Sequence, residues 1–311
     1  RRRKVRLTVN TAPRVLLTGA GGFVGRAVAA RHEARGLEVL GCDLHGAARA
    51  VDVLDGEALR NLALEFRPTV FVHGAAITTA TRGDELDLLE VNLRGTLHAL
   101  QAARNAGVIH FMLLSSAGVY ASGQPEPITE SGLTSSDRAY SLSKTLAEQI
   151  GDLGKSAGMT VWALRLAAVY GPLEVVSPTR SRGSLIFEIA RQLRNPRIEL
   201  PRASSDAYNF LHTGDLARLL EVIAQRPSDG GTHVYNVGGK TTTALEIVKV
   251  FERVTGESLE PRVVWHPNPA PRHGALDSSK LQRELGFVAS TPLETGLLDY
   301  LSAAAIKEVT S

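Results

Sequence analysis

Cysteine is almost missing from this chain: Cys42 is alone among 311 residues. A single thiol closes no internal disulfide, so the fold must rest on its core, and the usage fits a reducing, cytoplasmic setting. No apolar run approaches the roughly 20 residues of a membrane span, which excludes a membrane role. The nine His are scattered, with neither H-E-x-x-H nor C-x-x-C spacing, so no metal site is expected. An excess of one charge is also missing. The formal net charge of +3 becomes −2 without Arg1, Arg2, Arg3, Lys4 and Arg6, so the basic pI reflects the first residues and not a nucleic-acid-binding body. Those residues have no apolar segment behind them; 1–13 reads as a disordered basic tail, not a signal peptide. There is no internal repeat and no low-complexity linker.

What is present is 43% hydrophobic and 22% charged, a soluble globular composition for one large or two modest domains. The chain is organised around Val15-Leu16-Leu17-Thr18-Gly19-Ala20-Gly21-Gly22-Phe23-Val24-Gly25. A buried-strand run enters a G-x-x-G-x-x-G turn and leaves as an apolar helix. Without side chains, backbone amides approach a pyrophosphate at the positive end of that helix. A second strand, 37–42, ends in Asp43, 18 residues after Gly25. A carboxylate there accepts from adenosine ribose hydroxyls and repels a 2′-phosphate, which favours NAD over NADP.

Strand and helix patterns then alternate. Asp55 is the expected N-cap of a helix ending before Pro68, 69–72 is a strand leading to His73-Gly74-Ala75-Ala76, and 85–105 is a long helix containing Asn92 and Gly95. Strand 111–114 ends at Ser115-Ser116, helix 138–157 stops at Gly158, and 161–166 is a sixth strand. This rhythm predicts an α/β, Rossmann-type, doubly wound parallel sheet. Past Gly171-Pro172 it breaks down. A helix over 183–194, another capped by Asp215, and capping boxes at Thr243–Glu246 and Thr291–Glu294 predict a smaller interleaved C-terminal lobe. The expected division is 14–172 plus 206–240 for NAD binding, and 173–205 plus 241–311 for substrate.

Tyr140-Ser141-Leu142-Ser143-Lys144 places Tyr and Lys on one helix face. An ammonium near a phenol favours phenolate, so Tyr140 can serve as a base below its ordinary pKa. Such a pair is common by itself. Its weight comes from the order: glycine turn, Asp43, Ser116 at a strand end, then Tyr140 and Lys144.

In these residues the chain resembles the extended short-chain dehydrogenase/reductases, specifically the NAD-dependent epimerase/dehydratase group, over roughly 14–290. The resemblance continues through Asp52-Val53, Asn92-Leu93-Arg94-Gly95-Thr96, Ser115–Tyr120, Leu164-Arg165, Val169–Pro172, Phe210–Asp215 and Tyr235–Gly239. It implies that Tyr140 takes the proton of a substrate hydroxyl while hydride leaves the same carbon. Lys144 would hold the nicotinamide ribose, and Ser116 the reacting oxygen, with Ser115 its one-residue-off rival. The implied NAD surface comprises Gly19, Gly22, Phe23, Val24, Gly25, Asp43, Asp52, Val53, Gly74, Ala75, Ala76, Asn92, Ser115, Tyr140, Lys144 and Ala167. Asn92 and His73 also read as structural, and His212 as a loop-fixing residue.

The expected substrate contacts are Thr78, Ser116, Ala117, Arg182 and Arg272, with Arg180 and Arg202 as further anion contacts or plain surface charges. A homodimer through 85–105 and 138–157 is implied. Three positions depart from the group. Ala117-Gly118 replaces the acidic pair of dehydratases, Ala168 stands where nucleotide-sugar epimerases carry Asn, and the segment around Arg272 looks short. A sugar or nucleotide-sugar 4-epimerase leads. A net NAD-dependent dehydrogenase of a sugar, sugar acid or small polyol is the alternative, and a non-catalytic NAD sensor the remote one.

Overall fold

A computed structural model describes residues 12–78, 85–135, 137–266 and 275–310, with side chains to residue 303. In chain order the elements are β1 (Arg14–Thr18), α1 (Phe23–Ala34), β2 (Glu38–Asp43), β3 (Arg49–Ala50), α2 (Gly56–Phe66), β4 (Val70–His73), α3 (Glu85–Asn105), β5 (His110–Ser116), α4 (Ala139–Asp152), β6 (Thr160–Leu166) and β7 (Ala168–Tyr170). They continue with α5 (Leu185–Ala190), β8 (Ile198–Leu200), β9 (Ala207–His212), α6 (Thr213–Ala224), β10 (Thr232–Val237), β11 (Thr241–Thr243), α7 (Ala244–Thr255), β12 (Val263–Trp265), α8 (Ser279–Leu285) and α9 (Leu293–Thr310).

Successive side chains of a strand point to opposite faces, so an uninterrupted apolar strand needs cover on both. β1 shows this directly. Val15 and Leu17 join the core shared with Leu216 and Leu220 of α6, while Leu16 joins Leu59 of α2 and Leu100 of α3 on the other face. Seven parallel strands lie in the order β10-β6-β5-β4-β1-β2-β3. The winding reverses between β1 and β4. Ligands of open parallel sheets bind at the carboxyl ends of the strands beside such a reversal, where the turns after β1 and β4 meet.

A second core gathers Ile186, Ile189, Phe210, Ile247, Phe251 and Leu297 around two small sheets, β11-β9-β7 and the β12-β8 pair. β7 and β9 pair with each other and not with the large sheet. Segments 168–170 and 207–212 thus stand with the smaller sheets, although their neighbours in sequence belong to the large one. Among the described residues no helix is long and apolar enough to cross a membrane.

Several local expectations need correction. The helix expected over 183–194 is only α5, capped by Ser184, whose Oγ accepts from the Phe187 amide. Asp215 does not cap α6. His212 does, through Nδ1 accepting from the Gly214 amide, and Asp215 lies buried inside the first turn accepting from the Thr291 amide at 3.0 Å. The capping box at Thr243–Glu246 forms. The second one expected does not match the helix start, because α9 begins at Leu293, after Pro292, and the Thr291 amide is taken by Asp215.

Candidate active site

The turn after β1 is shaped by what cannot fit in it. Gly19 has φ +77°, and a Cβ there would lie 2.6 Å from the Ala75 nitrogen. A Cβ on Gly25 would lie 2.1 Å from the Gly19 carbonyl oxygen. Glycine at these two positions lets α1 begin directly on the turn and lets the Gly74-Ala75-Ala76 segment close beside it. α1 has no side-chain cap at Gly22 and no acidic residue in its first turn, so the amides of its first turn keep their positive end open to an anion.

Asp43, at the end of β2, faces this turn. Its Oδ2 accepts from the Gly21 amide at 3.0 Å and its Oδ1 from the Leu44 amide at 2.7 Å. Each oxygen keeps a lone pair for a further donor. Arg49, the nearest following cation, is turned away into an ion pair with Glu65. Farther along the same edge, buried Val53 occupies the space that a Cβ on Gly95 would need, 2.9 Å from its Cγ2, which explains a glycine inside α3. Asp52 accepts from the Leu54 amide at 2.8 Å.

β5 delivers Ser116 to the sheet's carboxyl edge, and α4 delivers Tyr140 and Lys144 one turn apart. Ser116 accepts from the Gly118 amide at 2.9 Å, which leaves its proton free, and its hydroxyl and the Tyr140 ring converge on Gly118. The contact depends on Gly118, where a Cβ would stand 3.1 Å from Ser116 Oγ and 3.2 Å from Tyr140 Cε1. Burial pushes the Tyr140 phenol above its ordinary pKa, and the Ser116 hydrogen bond draws it back. Lys144 is almost completely buried and donates to the Leu114 carbonyl at 2.9 Å. Burial lowers its pKa to about 8, against the opposing pull of Glu148. The expected depression of Tyr140 by Lys144 is therefore not what governs the phenol here: the ammonium is turned to Leu114, and the opposing influence on burial is Ser116.

Two residues placed on the cofactor surface by their motifs are committed elsewhere. Asn92 donates to the Ile77 carbonyl (3.0 Å) and Ser143 Oγ (2.9 Å), and its Oδ1 accepts from the Ile77 amide (2.8 Å). Both of its N–H donors are thereby used in tying the segment after β4 to α4. Ser115 donates to Glu148 at 2.5 Å, away from Ser116. His73, between Thr18 Oγ1 at 2.8 Å and Thr96 Oγ1 at 3.2 Å, is held neutral, its pKa lowered to about 3 by burial and then by Lys144.

Beneath Lys144 lies a network that motif reading missed. Glu148 and Arg165, both buried, form a pair at 2.7 Å. Arg165 also donates to Tyr120 Oη at 2.9 Å, and Tyr120 donates to Asn236 at 2.7 Å. Glu148 is four residues after Lys144, so its place on the same helix face was available as a signal.

Toward the smaller sheets, Thr78 donates through both N and Oγ1 to the Thr179 carbonyl. Ala117 is nearly buried, Ala167 lies beside Gly238, and Ala168 is exposed without a polar group. Arg202 stacks on Tyr208, whereas Arg182 has no partner among the described residues. Arg272 lies outside the described residues. No cluster of His, Cys, Asp and Glu suited to a metal occurs among those described.

Comparison with known proteins gives one family: the model of the NAD dependent epimerase/dehydratase family matches residues 15–238. A UDP-glucose 4-epimerase of Erwinia amylovora is 30% identical, over 92% of this chain and 96% of its own. A dTDP-4-dehydro-6-deoxy-D-allose reductase of Streptomyces bikiniensis is 28% identical, over 91% and 93%. Among solved structures, a UDP-glucose-4-epimerase from Stenotrophomonas maltophila with bound NAD and formylated UDP-arabinopyranose superposes with a TM-score of 0.84 at 21% identity. That match covers 96% of this chain and 100% of the other.

Proposed function

The chain belongs to the NAD dependent epimerase/dehydratase family, and from that membership we propose that it epimerises a carbinol carbon of a nucleotide sugar, with Tyr140 as base. The observation that carries the reading is the convergence of Ser116 and Tyr140 at Gly118, with buried Lys144 one turn along α4. The residues fit a dinucleotide. The uncapped start of α1 at Gly22, Phe23, Val24 and Gly25 suits a diphosphate, the Asp43 carboxylate suits ribose hydroxyls, and Asp52 with Val53 borders the place for an adenine. NAD, when bound, supplies the acceptor and later the donor of hydride. Everything else falls to the protein. Ser116 donates to the reacting oxygen, Tyr140 removes its proton, and Lys144 offers an ammonium to the ribose hydroxyls and to the charge developing on Tyr140.

Relatives named as epimerases support return of the hydride. The apolar Ala168 supports the second reading, net oxidation of a sugar, sugar acid or polyol without a nucleotide, while the Ala117-Gly118 pair argues against dehydration. A homodimer through α3 and α4 belongs to the proposal, supported by exposed Leu97 and Leu153 on that side; solution mass tests it. To separate the reactions, the protein is incubated with NAD and panels of UDP-sugars, free sugars and sugar acids. Isomer formed without accumulating NADH supports epimerisation; stoichiometric NADH overturns it in favour of dehydrogenation.

A further inference from the structure

The segment after β7 is a strap with an unusually firm internal anchor. The Glu174 side chain is completely buried, yet each of its oxygens is occupied. Oε1 accepts from Arg180 Nη2 at 2.6 Å and from the Ser184 amide at 2.7 Å, and Oε2 accepts from Ser184 Oγ at 2.8 Å. Arg180 also donates to the Val175 carbonyl at 2.9 Å. Ser177 and Arg180 exchange backbone hydrogen bonds at 2.8 and 3.0 Å, closing the strap into a loop of fixed shape.

Its tip makes two outside attachments, one to the segment after β4 and one to the segment after β1. The Thr179 carbonyl accepts both the Thr78 amide (2.9 Å) and Thr78 Oγ1 (3.0 Å), on the segment that follows β4. The Arg180 guanidinium carbon lies 5.0 Å from the ring centroid of Phe23, the first residue of α1 on the glycine turn. The two anchored segments follow β4 and β1, which are neighbours in the sheet. The guanidinium, paired with Glu174, thus ties the strap to the first residue of a helix whose start carries no side-chain cap and no acidic residue.

Resting on the NAD reading above, we infer that Arg180, held by Glu174 and stacked on Phe23, latches the strap across the middle of the bound dinucleotide, and that the cofactor leaves only when the Thr78–Thr179 and Arg180–Phe23 contacts part. Arg180, not Arg182, is the strap's cofactor-holding residue. A catalyst that returns its hydride gains from such a latch, because oxidised and reduced cofactor must stay through the whole cycle. Net oxidation would require the latch to open at every turnover.

The test is the release of labelled NAD from preloaded protein, chased with unlabelled NAD. Arg180→Ala is expected to speed release at least tenfold, and Arg180→Lys, which keeps charge without the planar fork, to fall between. Release within twofold of the parent overturns the inference. Should Arg180→Ala fail to fold, a Thr78→Cys/Thr179→Cys pair decides the question. Oxidised after loading, it should release NAD more slowly than the parent and recover with reductant; buried Cys42 stays out of the exchange. Equally fast release from the cross-linked protein also overturns the latch. If the parent retains no labelled NAD at all, the cofactor reading fails, and the latch with it. Bound NAD with an unchanged release rate condemns the latch alone.

Discussion

Replacing Lys144 with Met should stabilise the protein while ending its activity. The lysine is 6% exposed and its ammonium has one protein hydrogen bond, to the Leu114 carbonyl. Burial lowers its pKa from 10.5 to about 8. Through linkage, that difference represents roughly 3 kcal/mol by which the folded state disfavours the charged form. Between pH 8 and 10.5 the unfolded lysine holds a proton that the folded one has lost. Stability therefore rises with pH through that window, and below it the whole cost remains. Met fills similar volume without charge, though it leaves the Leu114 carbonyl without a donor, a loss of about 1 kcal/mol. The net gain at neutral pH is about 2 kcal/mol, or about 3 °C in melting temperature for a chain of this length. Thermal unfolding of both proteins from pH 7 to 10.5 measures it. The gain should be largest at pH 7 and shrink as the parent's lysine deprotonates. Destabilisation of the variant by 1 kcal/mol or more at pH 7, or a difference that ignores pH, would refute the reasoning. A lysine kept buried against its own stability is best explained by work done on the charge.

Three other changes follow from the same geometry. Gly118→Ala places a methyl 3.1 Å from Ser116 Oγ and 3.2 Å from the Tyr140 ring; it should cut kcat at least tenfold with the melting temperature nearly unchanged, as steady-state kinetics and calorimetry will show. Glu148→Ala leaves the Arg165 guanidinium buried and unpaired, a loss of about 3–5 kcal/mol measurable by denaturant unfolding. Asp43→Asn removes the charge and one of the two amide acceptors, and should narrow the preference for NAD over NADP; an unchanged ratio of the two affinities removes Asp43 from that role.

Much of this architecture was legible because it follows from local chemistry. The unbroken Val15-Leu16-Leu17 run needs cover on both faces, and Gly36, Gly158 and Gly256 end helical segments with positive φ, at 73°, 81° and 74°. The geometry of the candidate site was legible wherever it is set locally, as in the close approach at Gly19 and Gly25 and the shared helix face of Tyr140 and Lys144. It was not legible where distant segments decide. Ser115 cannot be told from Ser116 by type, and only the arrival of Glu148 beneath β5 separates them. Asn92 matches its motif, but Ile77 and Ser143, brought in by folding, occupy its amide. Asp215 reads as a cap until His212, three residues earlier, takes the position. Nothing near Glu174 announces that it will be buried, because its partners Arg180 and Ser184 lie across an irregular segment with no periodicity.

Tyr140 carries the proposed chemistry most directly. Tyr140→Phe, compared with the parent on whichever substrate the sugar panel identifies, should lower kcat by roughly a hundredfold or more while NAD affinity stays within about twofold, since the ring and the Lys144 ammonium remain. Turnover at the parent's rate in that variant would contradict the assignment of Tyr140 as the base.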